Sequence, residues 1–591
     1  MKIIQAIKES FRNVGYLFTV QLKMGVRGVI YQFLYSALNS FKSFFLILIP
    51  KIIIDFCVGF DSPNYFLISL FVFAAISWIV DTFIGITEVL QSIYNLKFAH
   101  FFKRKIAAKA MDMDYKNTES AEHLDLMEKA LDSAYDLSGS QITDLLTYLL
   151  KLITLIYIMS TLDWGIALIT VSVVVLIYFI NKKASKINHK YDMEKSVSNR
   201  KKDYVEEQIL DFGFAKDLRI FNGLDFLTEK YDSATDEYLS VQKKQNRFNF
   251  IMSLLKSALN AGLNGGIYIY LILKYSFGLV AVSSFTMYIS AVAEFYNAID
   301  AVFFMLIDFY TTNMNIREMN NFLEAENTIF TVDNGNVSVP EIREIEFKNV
   351  TFTYPGQVEP ALKNISVKIK AGEKVMLVGE NGAGKTTFVK LLMRLYDVDS
   401  GEILVNGINI KNIPFKTYIK LLEPVFQDVN MFAYTFRENI AFDNAERDDD
   451  SLLNNILFDC GLNSRFETFP DGLDTYYSKE FDENGVNLSG GEKQKLSISR
   501  AVFKRGQILI LDEPNSALDA ISERNLFTGI SKLGDGKITI FISHRLSASK
   551  FCDKIYVFNN GQITESGSFS DLMRSTSVFH SLYNIQSDYY K

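Results

Sequence analysis

Residues 374–395 read KVMLVGENGAGKTTFVKLLMRL, and this stretch decides the fold of the chain's second half. The apolar run 374–378 enters the glycine-rich GENGAGKTT of 379–387 and leaves into the apolar helical pattern of 388–395. Strand, glycine loop, helix is the order in which a phosphate-binding loop works. Gly379, Gly382 and Gly384 allow the backbone to wrap closely, so that the loop N–H groups, those of Glu380, Asn381 and Ala383 among them, and the helix N-terminus face phosphate oxygens. Lys385 adds a cation for the β- and γ-phosphates, Thr386 a hydroxyl ligand for Mg²⁺, and Thr387 closes the cradle.

Working outward, a second apolar strand at 508–511 ends in Asp512 and Glu513, which puts two carboxylates at the carboxyl edge of a sheet, where ligands of α/β folds collect. Asp512 suits Mg²⁺ or its water, and Glu513 suits polarising an attacking water. Between these elements stands NLSGGEKQK, 487–495, in which Ser489, Gly490 and Gly491 open an amphipathic helical pattern and so make a second anion site. One fold needs only one phosphate cradle. Short β-rich segments at 374–378, 401–405, 508–511, 538–542 and 554–558 alternate with helical patterns, as in an α/β domain with a largely parallel sheet.

Upstream of about residue 310 the composition changes. The chain of 591 residues is 49% hydrophobic and only 22% charged, with 49 Phe and 30 Tyr, a balance that points to a membrane-embedded portion. Its 61 Lys and Arg against 68 Asp and Glu leave a net charge of −7, so no basic excess draws it to nucleic acid. Three scattered Cys and five His indicate neither a disulfide framework nor a metal site of that kind. The uncharged runs 164–181 and 275–293 approach the roughly 20 apolar residues that span a bilayer. With four further segments they give six expected spans, about 28–55, 64–92, 140–161, 163–181, 250–274 and 278–310, within a membrane domain 1–323. A polar linker at 324–340 leads to the soluble domain 341–591. Lys97, Lys103, Arg104, Lys105 and Lys109 crowd one long connection and Lys182 to Arg247 another, whereas the short connections are nearly free of positive charge. The long loops, both termini and the soluble domain are therefore expected in the cytoplasm. Ile3, Ile7, Phe11, Val14 and Phe18 recur at helical spacing beside Lys8 and Arg12, the pattern of a helix lying in the interface, and no cleavable signal peptide is apparent.

The 487–495 segment, standing between a phosphate loop and an acidic strand end, resembles the signature sequence of the ATP-binding cassette (ABC) ATPases. The remaining motifs of that family are matched in order. Tyr354 in FTYPG resembles the aromatic that stacks on adenine, Gln427 in PVFQD the glutamine that touches Mg²⁺ and the membrane domain, 516–519 (SALD) the loop between paired sites, and His544 in ISHR the switch histidine at the γ-phosphate. Six spans before one cassette resemble a half-transporter of the exporter type. The fold class expected is a membrane all-α six-helix domain followed by an α/β P-loop nucleotide-binding domain.

The resemblance implies ATP and Mg²⁺ as cofactors, Glu513 and His544 as catalytic residues, and a second half-transporter, identical or not, whose signature caps the nucleotide on this chain's P-loop. It also implies a transported substrate in a lipid bilayer, and short coupling helices near 115–121 and 215–223. The sequence departs from the family at Glu492, where Gln is commoner, at Pro514-Asn515, and through 478–485, yet no catalytic position is degenerate. Asp81, Glu88, Glu294, Asp300 and Asp308 interrupt the second and sixth spans. They pair with Lys42, Lys51 or Lys256, or lie exposed near the cytoplasmic end, or else line an acidic, aromatic-rich cavity for a cationic or amphipathic cargo (peptide, lipid or drug). Helical spacing puts Glu294 and Asp300 on opposite faces and so keeps all five from lining one pocket. An importer built on the exporter fold, or a channel or sensor gated by the cassette, are the alternatives.

Overall fold

The computed structural model describes residues 2–59, 63–136, 140–160, 164–325, 327, 341–442, 450–514, 523, 527–530, 532, 534–574 and 577–589. The chain packs as two units, residues 1–108 with 125–324, and residues 109–124 with 325–591. In chain order the first ten helices are α1 (Lys2–Met24), α2 (Val26–Gly59), α3 (Pro63–Met111), α4 (Tyr115–Thr118), α5 (Ala121–Asp136), α6 (Ser140–Ser160), α7 (Trp164–Leu210), α8 (Ala215–Ile220), α9 (Leu224–Ser276) and α10 (Val282–Leu323). Short helices thus occupy both positions where coupling helices are expected, and α4 belongs to the second unit.

Within the first unit, α2, α6, α9 and α10 meet around Ile47, Leu155, Ile158, Leu263, Ile267, Leu271, Met287, Ala291 and Phe295. Polar bonds tie α2 to α6 at two successive turns: Ser36 Oγ donates to the Thr143 carbonyl (3.0 Å) and Ser40 Oγ to the Thr147 carbonyl (3.1 Å). Small hydroxyl residues allow such close approach, and in an apolar solvent these bonds hold helices that hydrophobicity alone cannot. Among the described residues three helical stretches are long and apolar enough to cross a membrane, Val26–Phe56, Leu70–Met111 and Leu168–Ser196. The other expected spans lie on α6, α9 and α10, whose apolar residues are interspersed with Asp144 and Lys151, Lys256 and Asn260, and Glu294 and Asp300.

The second unit is an α/β domain with two sheets among the described residues. Strands β1 (Glu344–Phe352), β2 (Leu362–Lys370), β3 (Lys374–Gly379), β4 (Ser400–Val405), β5 (Ile408–Asn409), β6 (Leu422–Val425), β7 (Ile508–Asp512), β8 (Ile538–Ile542), β9 (Lys554–Asn559) and β10 (Gln562–Gly567) are joined in part by α11 (Lys385–Leu392), α12 (Phe415–Tyr418), α13 (Phe436–Ala441), α14 (Asp450–Asp459), α15 (Asn463–Phe466) and α16 (Gly490–Phe503). The larger sheet has the order β10-β9-β3-β8-β7-β6, parallel except at its β10 edge. Side chains alternate across it: Val375 and Leu377 of β3 enter one core with Phe388 and Leu392, while Met376 and Val378 enter another with Ile498 and Leu511. Burial on both faces explains why β3, β7 and β8 read as continuous apolar runs.

The segment at 401–405 does not join that sheet. As β4 it lies in a separate antiparallel sheet of order β2-β1-β4-β5, paired with β1 on one side and, through a turn at Asn406 (φ 52°) and Gly407 (φ 80°), with β5 on the other. An Asn-Gly pair with both residues at positive φ is the preferred two-residue hairpin turn.

Candidate functional site: the carboxyl edge of the parallel sheet

Register brings the motifs together. Gly379 at the end of β3 lies opposite Phe558 of β9, and Asp512 at the end of β7 opposite Ile542 of β8, so the glycine loop, Asp512-Glu513 and Ser543-His544 leave the sheet at one edge. Gln427 follows β6, the neighbour of β7, and emerges at the same edge.

Two glycines in the loop are required. At Gly379 (φ 157°) a Cβ would run into the Phe558 carbonyl oxygen, and at Gly384 (φ 105°) it would lie 2.6 Å from Leu362 Cδ2 and 2.9 Å from the Ala361 oxygen. Gly384 is the N-cap of α11, and it supplies no side chain to the first-turn N–H groups. Those donors therefore remain for a ligand. Lys385, buried, donates from Nζ to the Gly379 carbonyl (2.8 Å) and the Glu380 carbonyl (2.9 Å), folding its ammonium over the loop. Burial lowers its pKa, and Glu513 and Asp512 work the other way. Thr386 is exposed at the helix start, whereas Thr387 is buried and its Oγ1 lies 3.1 Å from the Tyr354 hydroxyl. That bond fixes Tyr354 beside α11, with its ring edge-on to Tyr396 (5.4 Å).

Glu513 is the hub. Its Oε1 lies 2.9 Å from His544 Nε2, and its Oε2 accepts from Gln427 Nε2 at 3.1 Å. Its backbone N–H donates to the Ile542 carbonyl (2.9 Å), and its φ is 48°. A non-glycine residue in that region is strained, and surrounding structure must hold it there. Asp512 beside it is buried, and burial first, then the Glu513 charge, pushes its carboxyl up to about 6. Two adjoining carboxylates, with the Thr386 hydroxyl at the start of the helix that follows the loop, have the oxygen chemistry of a Mg²⁺ site.

Ser489 begins α16 elsewhere in the same unit. Its hydroxyl accepts from the Glu492 N–H, while Glu492 Oε2 accepts from the Ser489 N–H (2.8 Å) and hydroxyl (2.8 Å), a complete capping box. Gly490 and Gly491 form the first turn. Arg465 Nε stands 3.0 Å from Glu492 Oε1. Burial raises the Glu492 pKa, but the Ser489 bonds and Arg465 outweigh it and hold the carboxyl below its ordinary value. The α13–α16 helices pack through Phe436, Leu453, Leu457, Phe466, Phe469 and Leu496.

Three sets of contacts in this unit are not read from the sequence. Gln494, buried, reaches the Glu513 carbonyl from Nε2 at 3.5 Å. Glu492 completes a Ser-x-x-Glu cap whose spacing was legible. In the second unit, α4 packs Tyr115 against Tyr396 (5.7 Å), and Glu119 pairs with Lys390 (3.4 Å) and accepts from the Tyr396 hydroxyl. The 516–519 loop, most of the 324–340 linker and the side chain of Asp308 lie outside the described residues. Of the membrane acids, Asp81 pairs with Lys42 (2.6 Å), and one carboxylate oxygen of Asp300 is buried without a hydrogen-bond partner.

Comparison with known proteins bears on both units. The ABC transporter transmembrane region family matches residues 29–299, and the ABC transporter family matches residues 362–516. The chain is 29% identical to the subtilin transport ATP-binding protein SpaT of Bacillus subtilis over 86% of its length and 83% of the relative's. It is 25% identical to the nisin transport ATP-binding protein NisT of Lactococcus lactis over 94% and 93%. To the ATP-dependent lipid A-core flippase of Escherichia coli it is 36% identical over 46% of this chain and 48% of that one. A solved structure described as a bacterial Atm1-family ABC exporter with ATP bound superposes with a TM-score of 0.78 over 95% of this chain and 98% of the other at 21% identity, a likeness of fold. With a helical transmembrane domain and an ATP-hydrolysing cassette in one polypeptide, this chain belongs to the ABC transporters, in the half-transporter arrangement.

Proposed function

We propose that the chain is one half of a dimeric, ATP-driven exporter of an amphipathic cargo, and that Glu513 is its general base. The observation that carries this is the Glu513 carboxylate held between His544 (2.9 Å) and Gln427 (3.1 Å) at the sheet edge beside the P-loop. In this reading the loop N–H groups and Lys385 bind the β- and γ-phosphates, and Tyr354 stacks on the base. Mg²⁺, held by Thr386, Gln427 and Asp512, would neutralise phosphate charge. Glu513 takes a proton from the attacking water, while His544, oriented by Glu513, reaches the γ-phosphate. Residues 489–491 of one chain cap the nucleotide on the other's P-loop, so that binding drives closure and hydrolysis releases it. The membrane unit crosses the bilayer six times, with the lysine-rich loops and cassette in the cytoplasm, since positive charge stays on that side. A peptide cargo is favoured, because the relatives aligned over most of the chain carry the names of subtilin and nisin transport. A lipid is the second reading, from the flippase.

Glu513→Gln tests the reading. Nucleotide binding should persist while turnover falls about 10²- to 10⁴-fold, the usual worth of a positioned base. Near-normal turnover removes Glu513 from the role. Loading of labelled peptide into inverted vesicles with ATP separates export from import, and current across the same vesicles would reveal a channel instead.

A further inference from the structure

The signature helix carries an unusual charge for its task. An anionic nucleotide has to approach the N-terminus of α16, yet Glu492 places a carboxylate in the first turn of that helix. Acidic groups in the first turn favour the helix itself but repel an incoming anion. The structure shows what restrains this charge. Both carboxylate oxygens are engaged, Oε2 by the Ser489 N–H and hydroxyl and Oε1 by the Arg465 guanidinium. Arg465 is itself held in place, since its guanidinium lies over the Phe469 ring (5.1 Å), which stacks on Phe436 (5.3 Å) in the core of the helical part. Arg465 therefore reaches Glu492 from a packed platform rather than as a loose surface cation. A Gln at 492 could complete the same capping box without charge, and would leave Arg465 with nothing to neutralise.

We propose that Arg465 is a positioning residue for composite-site closure: by pairing with Glu492 it keeps the capping-box carboxylate turned inward and neutralised, so that Ser489, Gly490 and Gly491 can meet the nucleotide phosphates of a second chain. The inference rests on the reading of 489–491 given above. In the absence of Arg465, the Oε1 charge faces the approaching phosphates, and ATP-driven closure weakens while nucleotide binding at the chain's own P-loop is untouched.

The test is a double-mutant cycle on the purified full-length chain in lipid nanodiscs, with ATPase measured against ATP concentration, own-site nucleotide affinity measured beside it, and thermal unfolding recorded for each variant. Arg465→Gln should raise the ATP concentration for half-maximal turnover, or lower turnover, by about three- to fivefold, the upper worth of a half-exposed ion pair. Own-site affinity should stay within about twofold, and Arg465→Lys should recover part of the loss. In the Glu492→Gln background, the same Arg465→Gln change should lose most of its effect. An Arg465→Gln chain as active as wild type, an equal loss in both backgrounds, or a parallel fall in own-site affinity would each overturn the proposal. Ser489→Arg run alongside separates the two levels: if it is inactive and Arg465→Gln is normal, only this inference fails, and if it is fully active, the composite-site reading falls and takes the inference with it.

Discussion

Two helices of the cassette unit begin in glycine-rich loops, and they begin in opposite ways. α11 has Gly384 as its N-cap, no side chain on its first-turn N–H groups, and an ammonium, Lys385, folded over the loop. α16 has Ser489 as its N-cap and closes its own first turn with Glu492, a carboxylate rather than a cation. An anion reaching α11 finds open donors and positive charge, whereas one reaching α16 finds a finished helix end whose shape is set and whose charge is balanced by Arg465. Affinity for phosphate should therefore reside at α11. α16 is suited to a nucleotide already held elsewhere, where geometry matters more than attraction.

The sharpest way to break this contrast is Ser489→Arg. A long cation at the packed helix start should remove the capping box and obstruct closure, cutting ATPase about 100-fold or more, while nucleotide affinity at the unaltered P-loop moves less than about twofold. Parallel loss of affinity and turnover would show that α16 binds nucleotide directly in its own chain, and the asymmetry drawn here would be false.

Lys385→Ala addresses the other side. Removing one charged donor to phosphate is worth about 1.5–3 kcal/mol, so the dissociation constant for ATP should rise about 10- to 100-fold, read by titration of a fluorescent nucleotide. Unchanged affinity would mean that the backbone of 379–384 holds the phosphates unaided.

Most of this site was legible because its residues sit at the ends of strands. Four apolar runs, 374–378, 508–511, 538–542 and 554–558, became neighbouring parallel strands, and the chemistry that follows β3, β7 and β8 converged with no further assumption. The 401–405 segment reads by its apolar content as one more strand of the parallel sheet, whereas the Asn406-Gly407 turn that follows it is the mark of a hairpin and hence of antiparallel pairing. Gln494 and Arg465 were invisible for a different reason: each acts through a contact between elements, Gln494 with the Glu513 carbonyl and Arg465 across 27 positions to Glu492, and helical periodicity says nothing about such partners. In the membrane unit the charge-free run 164–181 falls within α7, but the run 275–293 straddles the break between α9 and α10, and the partner of Asp81, Lys42 of α2, is one of three lysines that spacing alone leaves equivalent.

A third test sharpens the electrostatic side of the comparison. Asp512 has its carboxyl pushed up to about 6 by burial and by Glu513, from an ordinary value of 3.8. The folded apo chain thus holds this proton more readily than the unfolded chain, and the ionised carboxylate costs stability above pH 6, a cost relieved as the pH falls from 6 towards 3.8. A cation must displace the proton, so apparent Mg²⁺ affinity in the presence of nucleotide should drop by up to about tenfold per pH unit below 6. Asp512→Asn should abolish that slope together with much of the affinity. A flat profile in the wild type from pH 5 to 7 would assign the cation to other ligands.

The smallest effect is expected from a cap with no ligand to serve. Thr435 starts α13 with the same capping box as Ser489, its hydroxyl accepting from the Glu438 N–H and Glu438 Oε2 accepting from the Thr435 N–H at 2.9 Å. The two boxes are chemically alike, so Thr435→Ala and Ser489→Ala should each cost about 1 kcal/mol of stability, read as similar shifts in thermal unfolding or faster amide exchange in the first turn of each helix. Their effects on turnover should diverge. If residues 489–491 meet a partner's nucleotide as proposed, Ser489→Ala removes a hydroxyl from that surface, whereas Thr435→Ala removes one from a helix cap alone, so ATPase at a temperature well below unfolding should fall in the first and change less than about twofold in the second. If the two variants lose activity in proportion to stability, the α16 box is a structural cap and no more, and the difference between the two glycine-loop helices reduces to the presence of Lys385.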